Sequence, residues 1–156
     1  DGLVYTYHLR KDVKFHNGRG FVADDVVYTY NRIANPDNAF GAALNLKNVK
    51  GVQEVLDKKA DTVSGIKKVD DYTVKLVVNK PYAPTFFLYC LTSTPGSVVD
   101  MKEVMAHEKD GDMGHAWLRT AYAGSGPYRL NSWKASESML LDRNDEYWGE
   151  KAKLKR

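Results

Sequence analysis

Cysteine is nearly missing from this chain: Cys90 stands alone, so no disulfide can form within it. A single thiol leaves the compartment open, since it suits an envelope protein as well as a cytosolic one. Phe86, Phe87, Leu88, Tyr89 and Leu91 surround it in sequence, which reads as a buried thiol acting as a small hydrophobe. Long apolar runs are also lacking. No stretch approaches the roughly twenty residues a membrane span requires. The opening Asp1-Gly2-Leu3 is not a basic segment followed by an apolar one, so it does not read as a signal peptide. A dominant charge is absent too: 23 Lys and Arg against 20 Asp and Glu give a formal +3. The densest basic cluster, Lys151, Lys153, Lys155 and Arg156, reads as a solvated tail or a truncated strand. Nucleic acid is not an expected partner, because its footprint needs Lys and Arg gathered on one face. There is no repeat, low-complexity tract or long Gly/Ser/Pro linker, so residues 1–156 read as a single domain.

What is present is core material: 43% hydrophobic and 12% aromatic residues. Val4 to Arg10 alternates, with Tyr5, Tyr7 and Leu9 on one face, the period of a half-buried strand. Asn17-Gly18 marks a turn. From Ala23 the spacing of Val26, Val27, Tyr30 and Ile33 predicts a helix, with Asp24 and Asp25 at its positive end. Asn35-Pro36 ends it. A second helix is predicted over Val49 to Lys59, facing Val52, Val55 and Leu56 inward. Ile66 to Val69 and Tyr72 to Val78, joined by Asp70-Asp71, read as a hairpin with Val74, Leu76 and Val78 on the core. Short helices follow around Thr85 to Leu91, Met101 to Glu108 and Met113 to Thr120, then strands over Tyr128 to Trp133 and Ser138 to Arg143. Strands and helices do not strictly alternate, so the expected fold class is α+β with a mixed or antiparallel sheet and packed helices.

Catalytic constellations are hard to find. Gly124-Ser125-Gly126 invites a nucleophile, but the hydrolase elbow is G-x-S-x-G, and Pro127 disfavours a helix continuing from the serine. A structural loop is the simpler reading, its glycines allowing a sharp turn or close approach. His8, His16, His107 and His115 show no i, i+4 zinc pair, and His107 follows a helix end, where it can offset the dipole. Asp110-Gly111-Asp112 lacks the remaining ligands of a calcium loop. No metal and no cofactor are expected. Tyr5, Tyr7, Tyr30 and Phe86 take core spacing, whereas Phe40 sits between helices beside Ala39 and Gly41. A loop aromatic among small residues is a candidate for contacts outside its own domain.

Two long segments carry a resemblance: YTYHLRKDVKFHNGRGFVADDVVYTYNRI from Tyr5 to Ile33, and AGSGPYRLNSWKASESMLLDRNDEYWG from Ala123 to Gly149. They resemble the bacterial extracytoplasmic solute-binding proteins that feed peptide and nickel ABC transporters (solute-binding protein family 5). His8-Leu9-Arg10, then Lys11, Val13, Lys14, Phe15, His16 and Gly18, then Ala23, Asp25, Val26, Val27 and Tyr28 follow the family's H-L-R, K-x-V-K-F-H-x-G and T-A-x-D-V-V-Y-S. Val69 to Val74 is similar to V-D-D-x-T-V. Gly124, Gly126, Pro127 and Tyr128 fit G-T-G-P-Y, and Arg143, Asn144, Tyr147 and Trp148 fit R-N-x-x-Y-W. Val22 replaces a Thr that would cap the helix, a loss of typically about 1 kcal/mol unless another group substitutes. Ser125 replaces the commoner Thr.

The resemblance implies a fragment of a larger two-lobed protein of the periplasmic-binding-protein type II fold. About 20–120 would be an extra subdomain and 121–156 the start of the return into the first lobe. It implies non-enzymatic capture of peptides or related small solutes outside the cytoplasmic membrane, and delivery to ABC permease transmembrane subunits. A periplasmic or lipid-anchored monomer is expected, with signal and first strands upstream of Asp1. Phe40, Thr92, Ser125 and Gly124 are the implied ligand-side residues. Two alternatives are a serine hydrolase pairing Ser125 with a histidine such as His115, and a structural or partner-docking module without a small ligand.

Overall fold

In the computed structural model, which describes residues 2–37, 46–92 and 94–156, the alternating opening segment forms β1 (Val4–His8). Tyr5 and Tyr7 turn toward the interior while Val4, Thr6 and His8 face out. The acidic-tipped hairpin is β2 (Ile66–Asp70) and β3 (Thr73–Val77). All pairing is antiparallel in the order β1-β3-β2, so the last strand in sequence lies at the centre. Tyr5 stands opposite Leu76 and Tyr7 opposite Val74, which puts these four apolar groups on one face. The outer face carries Thr6, Lys75 and Lys67 in a row. Asp70 Oδ1 accepts the Tyr72 N–H at 2.8 Å and closes the hairpin tip. A bulge between Lys68 and Asp70 turns Val69 outward.

Helix α1 (Ala23–Ala34) lies across the inner face, burying Val26, Tyr30 and Ile33. Val22 offers no capping oxygen. Asp25, three residues on, accepts the Val22 N–H at 3.0 Å, and the Asp71 carbonyl accepts that of Ala23 at 2.8 Å. These bonds secure the start of the helix in the absence of a side-chain cap. Helix α2 (Val52–Leu56) is shorter than the predicted Val49 to Lys59. Val49 is instead bridged to Val78 at the sheet, and Gly51 takes a left-handed φ of 90° that starts the helix only after it.

Helix α3 (Pro84–Leu91) corrects two expectations. Phe87 is fully buried against Tyr5, with ring centroids 4.5 Å apart, but Phe86 is 53% exposed and Tyr89 77% exposed. Cys90 is only half-buried. At about 100° per residue a two-turn helix shows the core one stripe, here Phe87 and Leu91, and its neighbours point away. A 3₁₀ turn (Thr94–Gly96), α4 (Met101–Ala106) and α5 (His115–Leu118) follow. The last is shorter than the predicted Met113 to Thr120, because Met113 and Gly114 both take positive φ. Asp112 serves this turn: its carboxylate accepts the N–H groups of Lys109, Gly114 and Ala116 at 2.9–3.0 Å. Those bonds, Lys109 first, hold its pKa below the ordinary carboxylate value.

The chain ends in a separate two-stranded sheet, β4 (Tyr128–Lys134) with β5 (Ser138–Arg143), close to the bounds read from the sequence. It leaves Trp133, Met139 and Leu141 exposed. An isolated hairpin of this kind is marginal in water, so the bonds that fasten it to the rest matter. No helix among the described residues is long and apolar enough to cross a membrane.

Candidate ligand-side junction and cleft

The segment Val13–Phe21 folds back on itself. Phe15 N donates to Arg19 O, Phe21 N to Val13 O, and Gly18 N to Phe15 O, all within 3.0 Å. Gly18 has a φ of 88°, a conformation that costs a side-chain-bearing residue about 1–2 kcal/mol. The turn holds His16, Asn17 and Arg19 at its tip. Arg19 reaches two buried carboxylates: it pairs with Asp25 and donates through Nε to Asp100 at 2.8 Å. Asn17 Nδ2 donates to the other Asp100 oxygen at 2.9 Å. Asp100 also caps α4, accepting from the backbone N–H of Lys102 and Glu103. Burial raises the Asp100 pKa, but the bonds from Arg19, Asn17 and Glu103 N–H outweigh it, so the carboxyl lies below its ordinary value.

The Gly124–Gly126 loop is fastened to this turn. His16 N donates to Gly124 O and Asp100 N to Ala123 O, at 2.9 and 2.8 Å. The Gly126 carbonyl accepts twice, from His16 Nε2 at 2.9 Å and from Asn144 Nδ2 at 3.1 Å. Because a carbonyl only accepts, His16 carries its proton on Nε2. Burial lowers the His16 pKa, with Arg129 adding to the effect and the Gly126 bond opposing it, so the ring is neutral at pH 7. Asn144, 2% exposed, takes Arg129 on its oxygen at 2.8 Å while its own N–H groups hold the loop. Arg10 lies 5.1 Å over the Trp148 ring. The segments around Arg10, His16, Gly126, Asn144 and Trp148, scattered in sequence, are therefore one junction.

Beside the junction, and sharing His16, Asn17, Asp100 and Ala123 with it, lies an open cleft of about 430 Å³. Phe15, His16 and Asn17 line one side, Glu103 and Trp117 another, and Tyr122, Leu130 and Trp133 close the third. His107, the residue ending α4, bonds Glu103 O through Nδ1 at 2.9 Å and stacks on Trp117 at 4.2 Å.

The predicted ligand-side residues fall in different places. Phe40 lies outside the described residues. Thr92 ends α3, exposed, and its hydroxyl donates to Tyr89 O at 2.9 Å. Among the described residues, no hydrogen bond joins Thr92 to the Gly124–Gly126 loop. Gly124 and Ser125 follow Ala123, which lines the cleft, but are not themselves among its lining residues. The expected reason for the glycines is corrected: neither takes a left-handed φ, and a Cβ at Gly124 would meet nothing within 4 Å. The histidine that reaches this loop is His16, bound to backbone, while His115 opens α5. Sequence reading missed Glu103, Trp117, Tyr122 and Trp133 as cleft residues. The only available signal was Tyr122, an aromatic abutting a glycine-rich loop.

The model of bacterial extracellular solute-binding proteins, family 5 Middle, matches residues 1–156. The chain belongs to that family. The periplasmic oligopeptide-binding protein OppA of Escherichia coli is 31% identical over 152 residues, covering 95% of this chain and 26% of that protein. The structure of Burkholderia pseudomallei OppA superposes with a TM-score of 0.82 at 26% identity, covering 95% of this chain and 28% of that one. Peptide-bound OppA of Listeria monocytogenes gives 0.80 at 27% identity, covering 94% and 28%. The chain thus spans about a quarter of the length of the curated relatives it matches. Its helices and antiparallel sheets are a segment of the periplasmic-binding-protein type II fold, as expected. Residues from several of the resembling motifs, Arg10, His16, Gly126, Asn144 and Trp148, meet at the junction.

Removing the Asn144 side chain is expected to test that junction. Asn144→Ala leaves the half-buried Gly126 carbonyl one donor short and Arg129 with only Glu146 at 3.9 Å, a loss of about 1–3 kcal/mol. Urea unfolding would measure it. A change below about 0.5 kcal/mol, the size of ordinary surface substitutions, would mean the loop is held by His16 alone.

Proposed function

We propose that this chain is part of the substrate-binding component of an ABC importer, which captures peptides or related small solutes and hands them to the permease. The observation that carries the reading is the family match over residues 1–156. Relatives of similar identity are named oligopeptide- and dipeptide-binding proteins, which favours peptides among the solutes. The role is non-enzymatic, and the protein works as a monomer outside the cytoplasmic membrane, periplasmic or lipid-anchored. Residues from about 20 to 120 act as an extra subdomain, and 121–156 lead back into the main lobe. Phe40, Thr92, Gly124 and Ser125 are proposed to lie on the ligand side. The sheet β4–β5, with its exposed apolar residues, supports this division.

Calorimetry tests the reading. The full-length protein is expected to bind at least one member of a panel of di- to pentapeptides, opines and metal chelates. The 156-residue chain alone is expected to bind the same ligand far more weakly, since a pocket between lobes needs both walls. Failure of the full-length protein across the whole panel would overturn the assignment. Equal, micromolar binding by the short chain would overturn the two-walled pocket.

A further inference from the structure

The cleft beside the junction combines three features that point to a ligand class. Its walls carry the aromatic rings of Trp117, Tyr122 and Trp133, whose faces attract positive charge. Among the described residues, its lining contains two carboxylates, Asp100 and Glu103, and no Lys or Arg. Of these, Asp100 is already neutralised by Arg19 at 2.7 Å. The contacts of Glu103 are weaker: Asn17 Nδ2 at 3.2 Å, and His107 Nδ1 at 3.9 Å. Its negative charge therefore remains available to the cleft. The volume of about 430 Å³ lies within the range of small-molecule sites.

We propose that this cleft binds a small organic cation, an ammonium or quaternary ammonium group held among Trp117, Tyr122 and Trp133 with Glu103 as its counter-charge. A neutral ligand of the same shape would gain the aromatic contact but not the electrostatic attraction. An anion would be repelled by Glu103. The proposal rests on the cleft's own geometry and does not depend on which solute the importer carries.

Choline is the probe, and 3,3-dimethyl-1-butanol its neutral isostere. Both are titrated into the full-length protein, following tryptophan fluorescence and calorimetric heat. Choline is expected to bind and the isostere to bind at least tenfold more weakly. Glu103→Gln, which keeps the acceptor for Asn17, is expected to weaken choline about fivefold or more. Trp133→Leu, on an exposed strand position, is expected to weaken it about threefold or more. Peptide affinity of the parent protein, measured in parallel, separates failure here from failure of the importer assignment. Equal binding of choline and its isostere would overturn the proposal. So would unaltered choline binding in both variants, or no choline binding at all, as when the remaining chain fills the cleft.

Discussion

Replacing Arg19 with Met is expected to remove about 3–5 kcal/mol of stability at pH 7, the cost of leaving buried charge without its partner. The methionine keeps most of the stem's volume, so the loss reports charge and hydrogen bonding more than packing. Arg19 is the cation shared by Asp25 and Asp100, whose side chains are 0% and 1% exposed. Both carboxylates also organise backbone, Asp25 at the start of α1 and Asp100 at the start of α4. The substitution therefore strikes two helix starts and the turn that presents His16. Arg19 itself is 22% exposed, which places the effect at the lower end of the range.

The same variant has a characteristic pH dependence. In the parent, the Asp100 pKa is depressed below its unfolded value. Its contribution is complete above about pH 4 and is lost as pH falls through the folded-state pKa. Without Arg19, burial is opposed only by Asn17 and the Glu103 N–H, and the Asp100 pKa moves up from its depressed value. Protonation then relieves the penalty, so the deficit of Arg19→Met is expected to shrink between pH 7 and pH 4. Guanidinium unfolding at the two pH values measures it. A deficit below about 1 kcal/mol at pH 7, the ceiling for an exposed ion pair, would show that the cluster is solvated. A deficit that does not change with pH would show that the lost stem contacts dominate.

Periodicity made much of the fold legible. The two tyrosines of β1 and the residues Val74, Leu76 and Val78 sit where a period of two puts them, on the covered face of the sheet. The acidic pair Asp70-Asp71 marked the hairpin, since a carboxylate can bond the backbone two residues on. Short elements were less legible, because their ends depend on tertiary bonds: α2 begins after Gly51 since Val49 is claimed by the sheet. Apolar composition misled at α3, where a hydrophobic octet looked buried all round but had core on one side only. The cleft was the least legible feature. Its Glu103, Trp117 and Trp133 come from three elements, and nothing in their local spacing announces that they share a cavity. The family motifs located the junction but not its reason. The glycines of the Gly124–Gly126 loop are not needed for backbone shape, whereas the carbonyls of that loop are needed as acceptors for His16 and Asn144.

The exposed helix α3 yields the other large expected effect. Phe87→Ala should cost about 3–5 kcal/mol, the usual result of emptying a fully buried aromatic site. Phe86→Ala, one residue away, should cost less than about 0.5 kcal/mol, as surface changes do. The contrast follows from position alone: Phe87 is 0% exposed and stacks at 4.5 Å on Tyr5, while Phe86 meets mainly Tyr82 at 6.1 Å. Phe87 is the one residue of α3 that is fully buried, so its loss should also loosen the helix locally. Amide exchange reads that directly at Phe87 and Thr92, whose N–H groups bond to Ala83 and Leu88. If Thr92 contributes to solute capture as proposed, Phe87→Ala should weaken peptide binding by the full-length protein while Phe86→Ala leaves it intact. Equal stability losses in the two variants would contradict the one-stripe packing of α3. Faster exchange at Thr92 with unchanged peptide affinity would remove Thr92 from the ligand side and leave the packing argument standing.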